Sequence, residues 1–340
     1  MNTYTIIEQK ILNRIQKDCK ITETPFEELA NEIGINEDEL LSAVSRLKKD
    51  GIIRDISAIF NASMLGYHSS LIAFEVSDSD VESASMIINE HPGVSHNYLR
   101  DHKYNIWFTI TIDNTAPIEK EVSIIAERCR AEDFLILKNK QLLKIGLMLE
   151  VGDCGDGNES TDVEYTLHNE NEKLLSEGIS EEEKRAIYLL QMDLPLMHRP
   201  FKYLIHSNNI DIDEESLILM GERFKREGIM RRYSAILRHN RAGYNANAMT
   251  VWKTDSIQDD KEIASIFSSI PNISHLYLRT VYPGKWEYPL FAMIHAKTSL
   301  ELNGIIKRLE ERSGIRDYLV LNTLREFKKK RVKLFQNNYI

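Results

Sequence analysis

The sequence predicts an α+β chain built as a tandem duplication, each copy a winged helix-turn-helix followed by a ferredoxin-like (βαββαβ) body. Three observations predict it. The segment GIIRDISAIFNASMLGYHSSLIAFEV (51–76) lies over GIMRRYSAILRHNRAGYNANAMTVWK (228–253) without a gap, matching Gly51/Gly228, Arg54/Arg231, Ser57/Ser234, Gly66/Gly243 and Tyr67/Tyr244. The heptapeptide VSHNYLR (94–100) returns as ISHLYLR (273–279). Around both heptapeptides, helical periodicity gives way to strand-like alternation in the same order.

The head of the first copy reads as three helices: TIIEQKILNRIQKD, TPFEELANEIG and NEDELLSAVSRLKKDG. In the third, Leu40, Ala43, Val44 and Leu47 fall on one helical face, and Gly51 supplies the stop. Asn36 followed by Glu39 reads as an N-cap with its capping-box glutamate. The body alternates: YHSSLIAFEV is a strand, DVESASMIINEH a helix, GVSHNYLRD and YNIWFTITI strands, APIEKEVSIIAERC a helix and FLILKNKQLLKI a strand. The wing strand DGIIRDISAIF is counted with the body. The boundaries expected are head 1 over 1–53, body 1 over 54–151, an acidic linker over 152–176, head 2 over 177–230 and body 2 over 231–340.

Composition narrows the class. Apolar residues make up 42% and charged residues 28% of 340 positions, as in a soluble globular protein. Cys19, Cys129 and Cys154 form no CxxC pair, which argues against a disulfide framework or zinc site and for a reducing, cytoplasmic setting. No 18-residue apolar run signals a membrane span, and the N-terminus lacks the form of a signal peptide. The net charge of −9 disfavours nucleic acid as a partner.

The order of elements resembles the Lrp/AsnC family of transcription regulators. The motifs GVSHNYLRDHKYNIWFTI (93–110), MRRYSAILRHNRAGYNANAMTVWK (230–253) and PLMHRPF (195–201) resemble a narrower branch, the sirohaem decarboxylases of the alternative haem and haem d1 routes. Those enzymes are usually built from two related subunits, and here the two subunit types look fused in one chain. The resemblance implies removal of CO2 from the C12 and C18 acetate groups of sirohaem, giving 12,18-didecarboxysirohaem. It implies no cofactor, because the iron arrives with the substrate. It also implies that the two bodies form an internal pseudo-dimer through their sheets, and leaves room for a homodimer of the whole chain.

A flat, iron-bearing polycarboxylate needs cations, an apolar slot and an imidazole for iron. On a strand, His96, Tyr98 and Arg100 share one face, as do His275, Tyr277 and Arg279. These six are the candidate catalytic residues. His275 or His96 would ligate iron or deliver a proton, Tyr277 or Tyr98 would deliver a proton, and Arg279 or Arg100 would orient the carboxylate. A solvated or salt-bridged stripe is the plainer alternative. Substrate contacts are expected from Arg231, Arg232, Tyr233, Arg238, His239 and Tyr244, where the first copy has fewer cations. That excess, placed beside Arg279, makes the second copy the expected working pocket. Tyr104, Trp107 and Tyr288, with Phe291, would stack on the macrocycle or fill the core. Lys285 and Trp286, in the inserted YPGKWEYP (282–289), read as a lid.

Two rival classes use the same sequence. A DNA reader needs basic or amide side chains early in its recognition helix. Here both third helices begin with acids (Glu37, Asp38, Glu39; Asp213, Glu214, Glu215) and keep Arg46, Lys48, Lys49, Arg223, Lys225 and Arg226 for their ends. A non-catalytic tetrapyrrole carrier or sensor would need only the pocket.

Overall fold

The computed structural model describes residues 4–145, 178–238, 244, 246–254 and 260–336, the side chains of 260 and 261 excepted; the expected linker and His239 lie outside them. The first copy runs α1 (Ile6–Ile15), α2 (Pro25–Ile33), α3 (Glu37–Lys49), β1 (Ile53–Phe60), β2 (Tyr67–Glu75), α4 (Val81–Glu90), β3 (Val94–Arg100), β4 (Ile106–Asp113), α5 (Ile118–Arg128) and β5 (Asp133–Ile145). The second repeats it as α6 (Glu181–Leu190), α7 (Pro200–Asn208), α8 (Glu214–Arg226), β6 (Met230–Leu237), β7 (Ala246–Trp252), α9 (Asp260–Ser268), β8 (Ile273–Arg279), β9 (Leu290–Ala296), α10 (Ser299–Ser313) and β10 (Tyr318–Lys329).

Local chemistry sets the helix starts. Thr5 and Ser180 open α1 and α6 with complete capping boxes, closed by Glu8 and Glu183. At α3 the box is only half made. Asn36 accepts from the Glu39 amide at 2.8 Å, and the glutamate does not reach back.

The two heads share a single core, in which Ile11, Phe26, Leu40 and Leu47 bury together with Ile187, Phe201, Leu217 and Phe224. Gly221 lets α8 close on the first head, since a Cβ there would stand 2.9 Å from Ile21. Ion pairs cross the same junction: Lys48–Asp193 at 2.6 Å, Lys225–Asp18 at 2.9 Å and His198–Glu37 at 2.8 Å.

The wing strands belong with the heads. β1 and β6 pair antiparallel into a separate two-stranded sheet, with Ile56 opposite Ala235 and Ser57 opposite Ser234. Counting the wing strand with the body is therefore corrected: β2-α4-β3-β4-α5-β5 completes the βαββαβ unit without it. Ile56, Ala58, Tyr233 and Ala235 bury into the head core, which outweighs their proximity in sequence to the body.

The two bodies close into one barrel, in the order β10-β3-β4-β2-β5-β8-β9-β7. The internal pseudo-dimer is thus real, and its seams are β5 against β8 and β10 against β3. Helices α4 and α5 cover one flank over Ile72, Phe108 and Ile110; α9 and α10 cover the other over Trp252, Leu276 and Ile294. Strand alternation then turns Ala73, Trp107, Leu135, Val251, Phe291 and Leu321 into the barrel interior.

Each seam carries a lysine, buried at Lys144 and half-buried at Lys328, that caps a helix of the other copy. Lys144 of β5 donates to the Ser268 and Ile270 carbonyls at 2.9 and 2.8 Å, at the end of α9. Lys328 of β10 donates to the Asn89 and His91 carbonyls at 2.7 and 3.2 Å, at the end of α4. Burial pulls the Lys144 ammonium down to about 8, and the two carbonyls at the negative end of the helix hold it. Lys144→Met is expected to cost about 1–3 kcal/mol, the worth of buried charge-assisted bonds, read as a lowered midpoint in urea unfolding. An unchanged midpoint would count against the seam assignment.

Candidate active site

The repeated heptapeptides stand opposite each other, since β3 and β8 lie four positions apart in the eight-strand ring. Their period-two faces point inward. His96 and Tyr98 stack with ring centroids 6.2 Å apart, and the Arg100 guanidinium lies 5.3 Å over the Tyr98 ring. His275 and Tyr277 repeat this at 6.2 Å, with Arg279 4.6 Å over Tyr277. Each stripe runs from a histidine at the wing end of the barrel to an arginine deep inside.

The arginines are staples more than open anion hooks. Arg100 Nη1 donates to the Leu321 carbonyl at 2.8 Å and to Thr323 Oγ1 at 3.0 Å; Arg279 Nη1 donates to the Leu137 carbonyl at 3.0 Å. Burial pulls both guanidiniums down to about 10, so they stay charged at neutral pH. Neither makes an ion pair with a described residue, and each leaves a buried Nε without a partner.

Positive charge gathers at the His96 end. A cleft of ≈ 470 Å³ between the wing and the barrel is lined by Arg54, Ser57, His96, Thr111, Lys329 and Arg331, among others. Arg331 reaches across to the wing, donating to Ser57 Oγ and the Ala58 carbonyl, both at 3.0 Å. Burial lowers Arg331 to about 10, and the charges of Arg54 and Arg232 push the same way against Asp55. Arg232, lowered by its own burial, makes no ion pair with a described residue. Asp55 is held below the usual carboxylate range by Arg54 and Arg331, against its burial, and it pairs with Arg54 at 2.7 Å. His96 itself is driven down to about 4 by burial and by Lys329, Arg54 and Arg331. Its Nδ1 lies 2.8 Å from Ser95 Oγ. The cleft therefore offers a neutral imidazole among cations, a setting that favours an anionic ligand.

This corrects the expectation that the second wing's cations sit beside Arg279. β6 pairs with β1, so Arg232 stands opposite Ile59 of the first copy's wing, near enough for its charge to act on Arg331, while Arg279 donates to the Leu137 carbonyl. Arg231 donates to Asn61 Oδ1 at 3.2 Å, and Arg238 lies exposed beside Gly51. Tyr233 is wholly buried in the head core against Phe201, where no substrate reaches it. Tyr244 packs on the same core.

The lid is corrected too. Trp286 is 2% exposed and plugs the end of the barrel far from both histidines, packed on Trp107, Tyr104, Tyr288 and Phe291. Lys285 is tied to Asp133 at 2.9 Å, and the Tyr104 hydroxyl donates to the same carboxylate. Tyr104 and Trp107 are thereby core, not stacking platforms. Lys329 and Arg331 were not among the expected contacts, although the basic run KKKRVK (328–333) that ends β10 and continues beyond it carries their signal.

Paired winged heads on a barrel of two ferredoxin-like bodies, with cations at its mouth, define a chain with AsnC-like ligand-binding architecture. Residues 64–144 and 241–328 match the AsnC-like ligand binding domain, and residues 8–54 match the "Siroheme decarboxylase NirDL-like HTH domain". The "Siroheme decarboxylase" of Hydrogenobacter thermophilus is 38% identical over 97% of this chain and 95% of its own. A crystal structure of the siroheme decarboxylase NirDL superposes with a TM-score of 0.74 at 34% identity, covering 98% of this chain and 96% of that one. A second NirDL structure, in complex with an iron-uroporphyrin III analogue, gives 0.73 at 33% with the same coverage. The chain belongs to the sirohaem decarboxylase family.

Two outcomes test the site geometry. Because His96 titrates lower in the folded chain than in the unfolded one, the unfolded state binds more protons between about 6.5 and 4. Stability from this group is thus complete above 6.5 and lost as pH falls through 4. His96→Gln should flatten that acid limb, and a wild-type imidazole signal shifting near pH 6.5 in NMR would contradict the assignment. Trp286→Ala should destabilise the fold by about 3–5 kcal/mol in denaturant titration, whereas a lid residue would alter KM with little change in stability.

Proposed function

We propose that this chain decarboxylates sirohaem at its C12 and C18 acetates, giving 12,18-didecarboxysirohaem. The observation that carries the reading is the wing-side cleft, where Lys329 and Arg331 stand beside a neutral His96 and the nearby carboxylate Asp55 is already paired with Arg54. Substrate carboxylates supply the anions that these cations lack. The iron enters as part of the substrate, and His96 or His275 is its candidate axial ligand.

The reaction balances as R–CH2–CO2⁻ + H⁺ → R–CH3 + CO2. The bond between methylene and carboxyl carbon breaks, its electron pair passes into the macrocycle, and the methylene carbon takes up one proton. The protein must hold the carboxylate in a poorly hydrated place and deliver that proton. Burial and Glu326 push the Tyr98 phenol up, which keeps it protonated as a donor. The buried Arg100 and Arg279 hold the tyrosine rings from behind and supply long-range positive potential for the departing carboxylate.

The regulator reading loses its chemistry in the heads. Arg46 pairs with Glu8, Lys48 with Asp193, Arg223 with Glu183 and Lys225 with Asp18, so much of the basic charge of α3 and α8 is spent inside the head pair. The heads serve as a base for the wing.

Anaerobic incubation with sirohaem should yield a product lighter by two CO2. Unchanged mass with a shifted Soret band would make the chain a carrier, and salt-dependent retention of promoter DNA would make it a regulator. Arg331→Met and Lys329→Met should each raise KM about 10- to 100-fold, the worth of one or two charge-assisted bonds; an unmoved KM in both would remove the cleft from the site.

A further inference from the structure

Sirohaem loses two carboxylates in the proposed reaction, and each loss consumes one proton at a methylene carbon. A phenol holds a single proton. A tyrosine that serves both acetates must therefore be reloaded from water between the two losses.

The strand across the β10–β3 seam brings a group suited to that task. Glu326 of β10 stands opposite Tyr98 of β3. On either side of Glu326, Arg325 turns out to pair with Glu82 of α4, and Phe327 packs on the helix-side core of the first body. On either side of Tyr98, Asn97 reaches Asn89 of α4 and Leu99 packs on the same core. Alternation then leaves Glu326 and Tyr98 facing the barrel interior together. Glu326 is exposed there and makes no ion pair with a described residue, while Tyr98 is half-buried. The phenol lies within hydrogen-bonding reach of the carboxylate, and burial and the charge of Glu326 keep it protonated against the pull of Arg100.

The β5–β8 seam repeats this geometry with different chemistry. Leu142 stands opposite Tyr277 and Ile145 opposite His275, where the first seam has Glu326 and Lys329. The second copy gathers its polar groups behind the histidine instead. Ser274 Oγ lies 2.7 Å from His275 Nδ1 and 2.8 Å from His295 Nε2, and His295 Nδ1 lies 2.6 Å from Asn247 Oδ1. Of the two matched tyrosines, Tyr98 thus faces an ionisable side chain across its seam and Tyr277 an aliphatic one.

We propose that Glu326 is a positioning residue that acts through Tyr98, holding the phenol hydroxyl and returning a proton to it from water after each transfer to substrate. The proposal rests on the decarboxylase reading and makes the first copy's tyrosine the one that cycles. The transfer is Tyr–OH + R–CH2–CO2⁻ → Tyr–O⁻ + R–CH3 + CO2. The return is Glu–CO2H + Tyr–O⁻ → Glu–CO2⁻ + Tyr–OH, the carboxylate having taken its proton from solvent. A phenolate formed beside the carboxylate puts two negative charges together, and proton uptake at the exposed carboxylate relieves them.

The test uses the full chain, supplied anaerobically with one equivalent of sirohaem, its products followed in time by mass. Wild type should pass through the monodecarboxylated species without accumulating it. Glu326→Gln can still bond the phenol but carries no proton. It should lose the first CO2 within about threefold of the wild-type rate and the second at least about tenfold more slowly, with steady-state KM within about twofold. Glu326→Asp keeps a carboxylate and should restore most of the second step. A readout without substrate comes from 13Cζ-tyrosine labelling, with Tyr98 assigned by loss of its signal in Tyr98→Phe. The alkaline titration of that signal should move to lower pH in Glu326→Gln, because the neighbouring negative charge is gone. Both steps at wild-type rates in Glu326→Gln, an equal slowing of both, a folded Glu326→Asp as slow as Glu326→Gln, or an unmoved Tyr98 titration would each overturn the proposal. If wild type releases no CO2, the decarboxylase reading fails and takes the proton return with it, while the Tyr98 titration still tells whether Glu326 holds the phenol.

Discussion

Backbone pairing across the two copies is the constraint on which the rest of this structure depends. A four-stranded ferredoxin-like sheet leaves two edges with unpaired amide and carbonyl groups, and edges invite association. Here the edges satisfy each other within one chain, β5 against β8 and β10 against β3, and the ring closes. Closure creates an interior that neither body has alone. It also fixes which residues meet: Lys329 stands opposite His96 and Ile145 opposite His275, because those pairs are in register at the seams. The cationic cleft follows directly, since the chain leaving β10 at Lys329 has to pass under the wing, and Arg331 is the second residue beyond it.

The seams also explain why so many charged groups are tolerated in the interior. Two guanidiniums inside a barrel would be costly if they were unsatisfied. Each instead donates to a carbonyl or hydroxyl on the strand across its seam and rests on a tyrosine ring, which keeps the charge while removing its freedom to move. Lys144 and Lys328 do the equivalent on the outside, turning seam positions into helix caps. Charge at these positions ties one copy to the other, so a swap of either copy for an unrelated sheet would leave it stranded.

Much of the architecture was legible because it rests on local rules. Duplication, three helices per head, and the βαββαβ order all follow from periodicity and from glycine and cap signals repeated at a constant distance. The shared face of His, Tyr and Arg was legible from strand alternation alone, whereas its inward direction depends on how the barrel closes. What periodicity does not encode is which strand meets which. The pairing of β1 with β6 placed Arg232 by the first copy's cleft instead of beside Arg279, and moved the wing out of the body. Trp286 looked like a loop-tip residue because Pro283, Gly284 and Lys285 surround it, yet an indole at the open end of an aromatic barrel buries itself. His295 and Asn247 gave no signal in their own segments, since a polar residue within a strand has meaning only through the neighbour opposite.

The asymmetry of the two copies is best understood from what two non-identical bodies permit. If two identical bodies closed the barrel, every gain beside one histidine would be duplicated beside the other, and a cation cluster beside each would depress both. With two different bodies, the surroundings of the two histidines are free to differ. Around His96 the divergence ran to charge: Arg54, Lys329 and Arg331 hold the ring neutral by field and burial. Beside His275 it ran to hydrogen bonding, where Thr111 and Ser69 of the first copy are replaced by His295 and Asn247, and Ser274 Oγ stands between two imidazoles at 2.7 and 2.8 Å. The two solutions are complementary, and one barrel holds both because its pseudo-twofold axis separates them.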